Sequence, residues 1–251
     1  MSGAGVGARG LLRSVMAAFS FLTRLPIPAA AVAERDLGRG VIWFPLVGAA
    51  MGAVWVGVAR GLQGHLAPGP LAVLLVALLA AMSGGLHLDG VADTFDALGG
   101  GRGDRTRMLD IMRDSRIGAH GAAALFLVLA GKIFAVLDLL ARGDLFPLFA
   151  APVLARLAVV PLLVCFRYAR PAGLGSPFRA HARAWHVVAA LPLPLALCVW
   201  AGPSMLVPAG AALTAALACA LTLNRHLDGL TGDVYGAAIE LAEVAFLVSA
   251  R

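Results

Sequence analysis

The sequence predicts an all-α, polytopic membrane protein, a single integral domain over residues 1–251 made of six or seven transmembrane helices with amphipathic interfacial helices. Three observations predict it. Hydrophobic residues are 60% of the 251, mean hydropathy is +0.87, and charged residues are only 14%, against roughly 25% in soluble domains. Several apolar runs reach the ~17–25 residues that a span requires. Those runs lack the polar face that a helix in a soluble bundle repeats at helical period.

The first element is "RGLLRSVMAAFSFLTRLPIPAAA", residues 9–31. Arginines, a short apolar stretch and alanines give it the outline of a signal peptide. Thr23, Arg24 and two prolines separate the apolar stretch from any cleavage site, so an uncleaved amphipathic helix is expected. Spans are then expected over residues 41–59, 71–88, 119–141, 146–166, 186–201, 204–223 and, more weakly, 234–250. Pro192 and Pro194 interrupt the fifth. The last carries Glu240 and Glu243, which place it in the interface or turn it toward the bundle interior.

The basic residues fix an orientation. With the N-terminus inside, segments 1–40, 83–118, 167–185 and 224–235 hold 15 of the 20 Lys and Arg residues, whereas the outer side holds only Arg60, Arg142 and Arg251. That asymmetry predicts an inner-membrane, multi-pass protein with a cytoplasmic N-terminus and cytoplasmic acidic loops. The net charge of +6 is spread over these loops, which suits anionic lipid and excludes nucleic acid as the partner. Cys165, Cys198 and Cys219 lie far apart in apolar segments and have no metal-like spacing.

Chemistry concentrates in "GGLHLDGVADTFDALGGG", where Asp89, Asp93 and Asp96 stand at i, i+4 and i+7. A helix there carries all three on one face, where they repel one another. Carboxylates so gathered need a cation, and oxygen donors at a helix end suit Mg²⁺ or Mn²⁺. Mg²⁺ takes one or two protein carboxylates and completes its shell with water and substrate phosphate. Asp104, Arg105 and Arg107 read as solvated surface. In "MLDIMRDSRIGAHGA" an amphipathic surface helix is expected, with the guanidinium forks of Arg113 and Arg116 suited to phosphate. Lys132 sits near mid-span, where a cation is costly, so it is functional or paired. Arg156 is similar: it is functional, or equally it forms a structural ion pair with Asp138 or another buried acid. "LDGVADTFDAL" and "LDGLTGDVYGA" echo one another, either as two related phosphate or metal loops or by chance.

The motifs "FLTRLPIP", "FPLVGAAMG", "GGLHLDGVADTFDAL", "LDIMRDSRIGAHG", the lysine of "LAGKI", "ARPAGLGSPF" and "GLTGDVYGAAIELAEVAFL" resemble, in order and over nearly the whole chain, the cobalamin-5′-phosphate synthase family (adenosylcobinamide-GDP ribazoletransferases). The resemblance implies transfer of the adenosylcobinamide-phosphate moiety of adenosylcobinamide-GDP to α-ribazole or its 5′-phosphate, with release of GMP. The ribose 3′-hydroxyl would attack the phosphorus bearing the cobinamide arm, assisted by Mg²⁺. It points to His87, Asp89, Asp93 and Asp96, then Asp110, Arg113, Asp114 and Arg116, then Thr231, Gly232, Asp233 and Glu243. In that reading Asp89, Asp233 and His87 are catalytic, and Arg113, Arg116 and Lys132 hold substrate phosphate. Asp89, Asp93 and Asp96 hold the metal. The chain departs from the family pattern at Asp228, where glycine is more frequent, at Asp110 for glutamate and at Arg113 for lysine.

Two rivals are a CDP-alcohol phosphotransferase and a transporter with intramembrane acids. "LHLDGVAD" lacks the earlier aspartate and the Ala-Arg pair of the first. A transporter predicts acids at mid-span, whereas most here gather at the inner boundary. The sequence leaves open a homo-oligomer and docking of other cobalamin-pathway enzymes.

Overall fold

The computed structural model describes residues 7–27, 34–171, 173 and 175–250, and shows helices with no β-strand among them. Pro28 of "FLTRLPIP", Ala172 and Leu174 of "ARPAGLGSPF", and Arg251 lie outside the described residues.

In chain order, α1 (Ala8–Leu22) and α2 (Glu34–Gly40) lead through a 3₁₀ turn into α3 (Phe44–Leu62), followed by α4 (Pro68–Ser83) and α5 (Leu86–Gly100). Then come α6 (Arg105–Ile111), α7 (Ala119–Arg142) and α8 (Phe146–Cys165). The short α9 (Ser176–His181), α10 (Ala184–Ala190) and α11 (Pro192–Ala201) precede α12 (Leu206–Leu227) and α13 (Gly232–Ser249). Helix α1 is amphipathic as expected: Ala17, Ala18 and Leu22 are buried while Leu11 and Leu12 stay exposed.

Packing is set by small residues. Gly48 and Gly52, one turn apart on α3, lie against the backbone of Phe149, Pro152 and Val153 on α8, the close approach that helices in lipid rely on. The indole Nε1 of Trp55 donates to the Leu75 carbonyl at 2.6 Å, tying α3 to α4. Helix α13 packs on α5, α7, α8 and α12, with Glu240 and Glu243 buried inside the bundle. It is the central helix, so its acids face protein and not lipid. Apolar residues of α7, among them Phe126, Leu127 and Phe134, are exposed on the bundle's outside, as a lipid-facing surface requires.

The span count differs from the expected six or seven. Four stretches are long and apolar enough to cross: Asp36–Leu62, Ala119–Arg142, Phe146–Cys165 and Ala184–Leu227. A fifth appears if α4 and α5 are taken together. The difference has two sources. Three acids keep α13 below the apolarity of a span, and two expected spans merge into the 44-residue Ala184–Leu227 run.

The expected span 71–88 also ends early, at Ser83. Gly84 and Gly85 take φ of 65° and 73°, and their N–H groups bond Ala81 and Ala80 at 2.9 Å each. This is a Schellman stop, which glycine adopts without a Cβ penalty. Beyond it α5 turns by 89°. If α4 follows the membrane normal, α5 runs in the membrane plane, across the end of the bundle.

Candidate functional site

Helix α5 meets the first turn of α13 through two glycines. A Cβ on Gly90 would overlap the Asp233 carbonyl, and one on Gly236 would lie 3.1 Å from the His87 Cα. Backbone-to-backbone contact here brings the acidic motif of α5 beside Asp233, over a hundred residues later in sequence. The two echoing segments therefore meet.

Thr231 caps α13, accepting the Val234 N–H at 3.3 Å, and its hydroxyl reaches Oδ2 of Asp233 at 3.2 Å. Arg170 lies 2.9 Å from the same carboxylate oxygen. Burial pushes the Asp233 carboxyl up, the Arg170 guanidinium and the Thr231 hydrogen bond pull it down, and the Asp89 charge raises it again. Asp93 is pushed up to about 7, first by burial and then by the charges of Asp89 and Asp233. The repulsion predicted from sequence is thus present, with Asp233 in the place expected for Asp96.

Asp96 points elsewhere. Its two carboxylate oxygens accept the N–H groups of Gly118 at 2.6 Å and Gly121 at 2.8 Å. Those are orphan donors at the start of α7, which a carboxylate satisfies and the helix dipole favours. Asp96 is a cap, which corrects its expected place as a metal ligand.

Among the described residues no three His, Cys, Asp or Glu side chains stand close enough to cage an ion alone. The donor set still fits Mg²⁺. That ion needs only one or two carboxylates beside water and phosphate, and Asp89 and Asp93 line one cavity of about 220 Å³ with Ser115 and Arg116. The raised proton affinity of Asp93 marks uncompensated negative charge beside Asp89, which a cation would offset.

The phosphate-binding candidates divide. Arg116 lines that cavity, held by Asp114 at 2.5 Å. Arg113 makes an exposed pair with Asp110 at 3.6 Å and lines none of the described cavities. Lys132 is corrected: it is buried 2.6 Å from Glu240 and 2.5 Å from Glu243, and Arg156 pairs with the other oxygen of Glu243. Asp138 instead pairs with Arg142. Lys132 therefore neutralises buried acids within the bundle and does not face the α5 cavity.

His87 is buried, and burial followed by the Arg156 cation lowers its pKa to about 3. It stays neutral and is a poor base, so Asp233 is the better proton acceptor of the two.

The sequence missed several contributors. Arg170, Tyr168 and Tyr235 join His87 and Asp233 around a cavity of about 230 Å³. Arg105, expected at the surface, donates to the carbonyls of Leu227 at 2.8 Å and Ala169 at 2.9 Å, clamping the two loops together. No local pattern marks the role of Arg105, because its partners are 64 and 122 positions away. Asp228, the departure from the family pattern, caps α12 at φ 51°. Left-handed backbone there explains why glycine is the commoner choice.

The model of the family described as cobalamin-5-phosphate synthase matches residues 14–250. A relative named adenosylcobinamide-GDP ribazoletransferase in Pseudomonas paraeruginosa is 42% identical, covering 96% of this chain and 98% of its own length. One of the same name in Klebsiella pneumoniae is 40% identical, covering 95% and 99%. Another in Escherichia coli is 39% identical, covering 93% and 97%. No solved structure matches the chain.

Proposed function

Since the chain belongs to the cobalamin-5-phosphate synthase family, we propose that the α5–α13 crossing is where it performs that family's transfer. The chain is a transferase of cobalamin synthesis, with adenosylcobinamide-GDP ribazoletransferase activity and adenosylcobinamide-GDP as its substrate. The acceptor in this reading is α-ribazole or its 5′-phosphate, and GMP is the product that leaves.

The observation that carries this reading is the convergence of Asp89 and Asp93 with Asp233 at one point. Displacement at phosphorus needs one group for the attacking oxygen and another for the leaving one. Asp233 takes the proton of the attacking ribose hydroxyl. Arg170 and Thr231 orient its carboxylate, while burial keeps it more basic than an ordinary aspartate. Arg116, which lines the same cavity as Asp89 and Asp93, would meet the diphosphate. Asp89 and Asp93 would hold Mg²⁺, which when bound offsets charge on the diphosphate and on the departing GMP. His87, neutral and buried, orients substrate by hydrogen bonding.

The protein is multi-pass in the membrane. Placement in the inner membrane with these loops on the cytoplasmic side is supported by the 15-to-3 skew of basic residues, and it gives nucleotide substrates direct access. The test is GMP release by the purified protein from the GDP-activated corrinoid plus α-ribazole. Asp233→Asn should lower kcat at least as much as it raises KM, because its proton is taken in the transition state. Absence of GMP release by the unaltered protein would refute the reading.

A further inference from the structure

Three buried polar atoms have no hydrogen-bond partner among the described residues although their side chains line one cavity: Nδ1 of His87, Nε of Arg170 and Oη of Tyr235. His87 and Tyr235 are only 3% and 2% exposed. A buried polar atom left without a partner costs about 1–3 kcal/mol, so three around one space mark a place that a polar ligand completes.

The rest of the wall combines two aromatic rings with the aliphatic Leu86, Val159 and Ile239. Phe21 closes one side and is itself held by Phe178, with ring centroids 4.2 Å apart. Tyr168 closes another, packed against Gly173 and Gly175. Size decides what can enter. At about 230 Å³ the space lies below the usual ~300–1,000 Å³ of ligand pockets. It takes one small ring system and excludes a corrinoid macrocycle.

We infer that this cavity seats the acceptor nucleoside: its flat heterocycle lies among Phe21, Tyr168 and Tyr235, and its ribose hydroxyl reaches Asp233. This rests on the transfer reaction proposed above. The donor then occupies the separate cavity of Asp89, Asp93 and Arg116, so acceptor and leaving group approach the phosphorus from different sides of α5. The ribose oxygen forms the new P–O bond, its proton passes to Asp233, and the bond to GMP breaks with GMP keeping the electron pair.

The test separates the two substrates. In purified protein, Tyr235→Phe removes one of the unpartnered atoms at nearly constant volume. It should raise KM for α-ribazole about tenfold and leave KM for the corrinoid donor within about twofold. Phe21→Ala should do the same through lost ring contact. Free benzimidazole, as the heterocycle alone, should compete with α-ribazole and not with the donor. A rise in donor KM, competition against the donor, or an unchanged α-ribazole KM in both variants would overturn the assignment while GMP release persists. Loss of GMP release by the unaltered protein would instead sink the parent reading.

Discussion

Gly90 of α5 lies against the backbone carbonyl oxygen of Asp233 on α13 so closely that a Cβ there would overlap it. No side chain can stand between the two helices at that point. The distance between the carboxylate pair of α5 and the Asp233 carboxylate is therefore governed by a single missing methyl group.

Gly90→Ala should push α5 from α13, at a packing cost of about 1–3 kcal/mol. Turnover should drop by more than about tenfold, since a misplacement near 1 Å is worth far more than that in an oriented site. Gly57→Ala, with open space around it, is the control and should leave both stability and turnover unchanged. Equal activity in the two variants would count against the crossing as the site.

Asp96 and Asp89 should separate cleanly. Asp96→Ala strips the N–H groups of Gly118 and Gly121 of their acceptor and should cost about 1–2 kcal/mol, read as a lower Tm in detergent. Its Mg²⁺ dependence should stay that of the unaltered protein. Asp89→Asn should abolish turnover and weaken Mg²⁺ binding with Tm unchanged or raised, because one of several crowded like charges is gone.

Metal affinity should fall on the acid side of neutrality. Asp93, pushed up to about 7, holds a proton below that pH, and Mg²⁺ must displace it. Affinity should therefore drop by up to about tenfold per pH unit below ~7 and level off above. Calorimetry in buffers of different ionisation enthalpy should show one proton released on binding at pH 6. Asp93→Asn should erase that proton release.

The buried network should respond to charge balance. Lys132 and Arg156 face Glu240 and Glu243, so the four groups are neutral together. Glu243→Gln leaves two cations with one carboxylate and should cost about 3–5 kcal/mol. Lys132→Met combined with Glu240→Gln removes one charge of each sign. It should retain most of the Tm that Glu243→Gln loses, a contrast that a phosphate-binding role for Lys132 does not predict.

Asp104→Cys, in a background lacking Cys165, Cys198 and Cys219, should label with a membrane-impermeant reagent only from the cytoplasmic side. Labelling from the outside would invert the orientation.

Much of this protein was legible in its sequence. Apolar runs and the arginine skew are summed over many residues, so membrane insertion and a helical bundle follow from composition. The i, i+4 spacing of Asp89 and Asp93 is local, and in the structure the two line one cavity. Long ordered motifs carried the family.

What tertiary structure alone decided is which like-looking residues meet. Asp96 has the same spacing signal as its neighbours, yet the start of α7 reaches it first and takes its oxygens. Lys132 looked available to phosphate until α13 brought two glutamates to it. Arg170 and Tyr235 lie within family motifs, yet nothing local gave them a role, because the groups they meet come from other segments of the chain. Periodicity fixes the face a side chain occupies on its own helix. The partner across that face is set by where helices cross, and here the crossing depends on the 89° turn after Gly84–Gly85 and the bare backbone of Gly90.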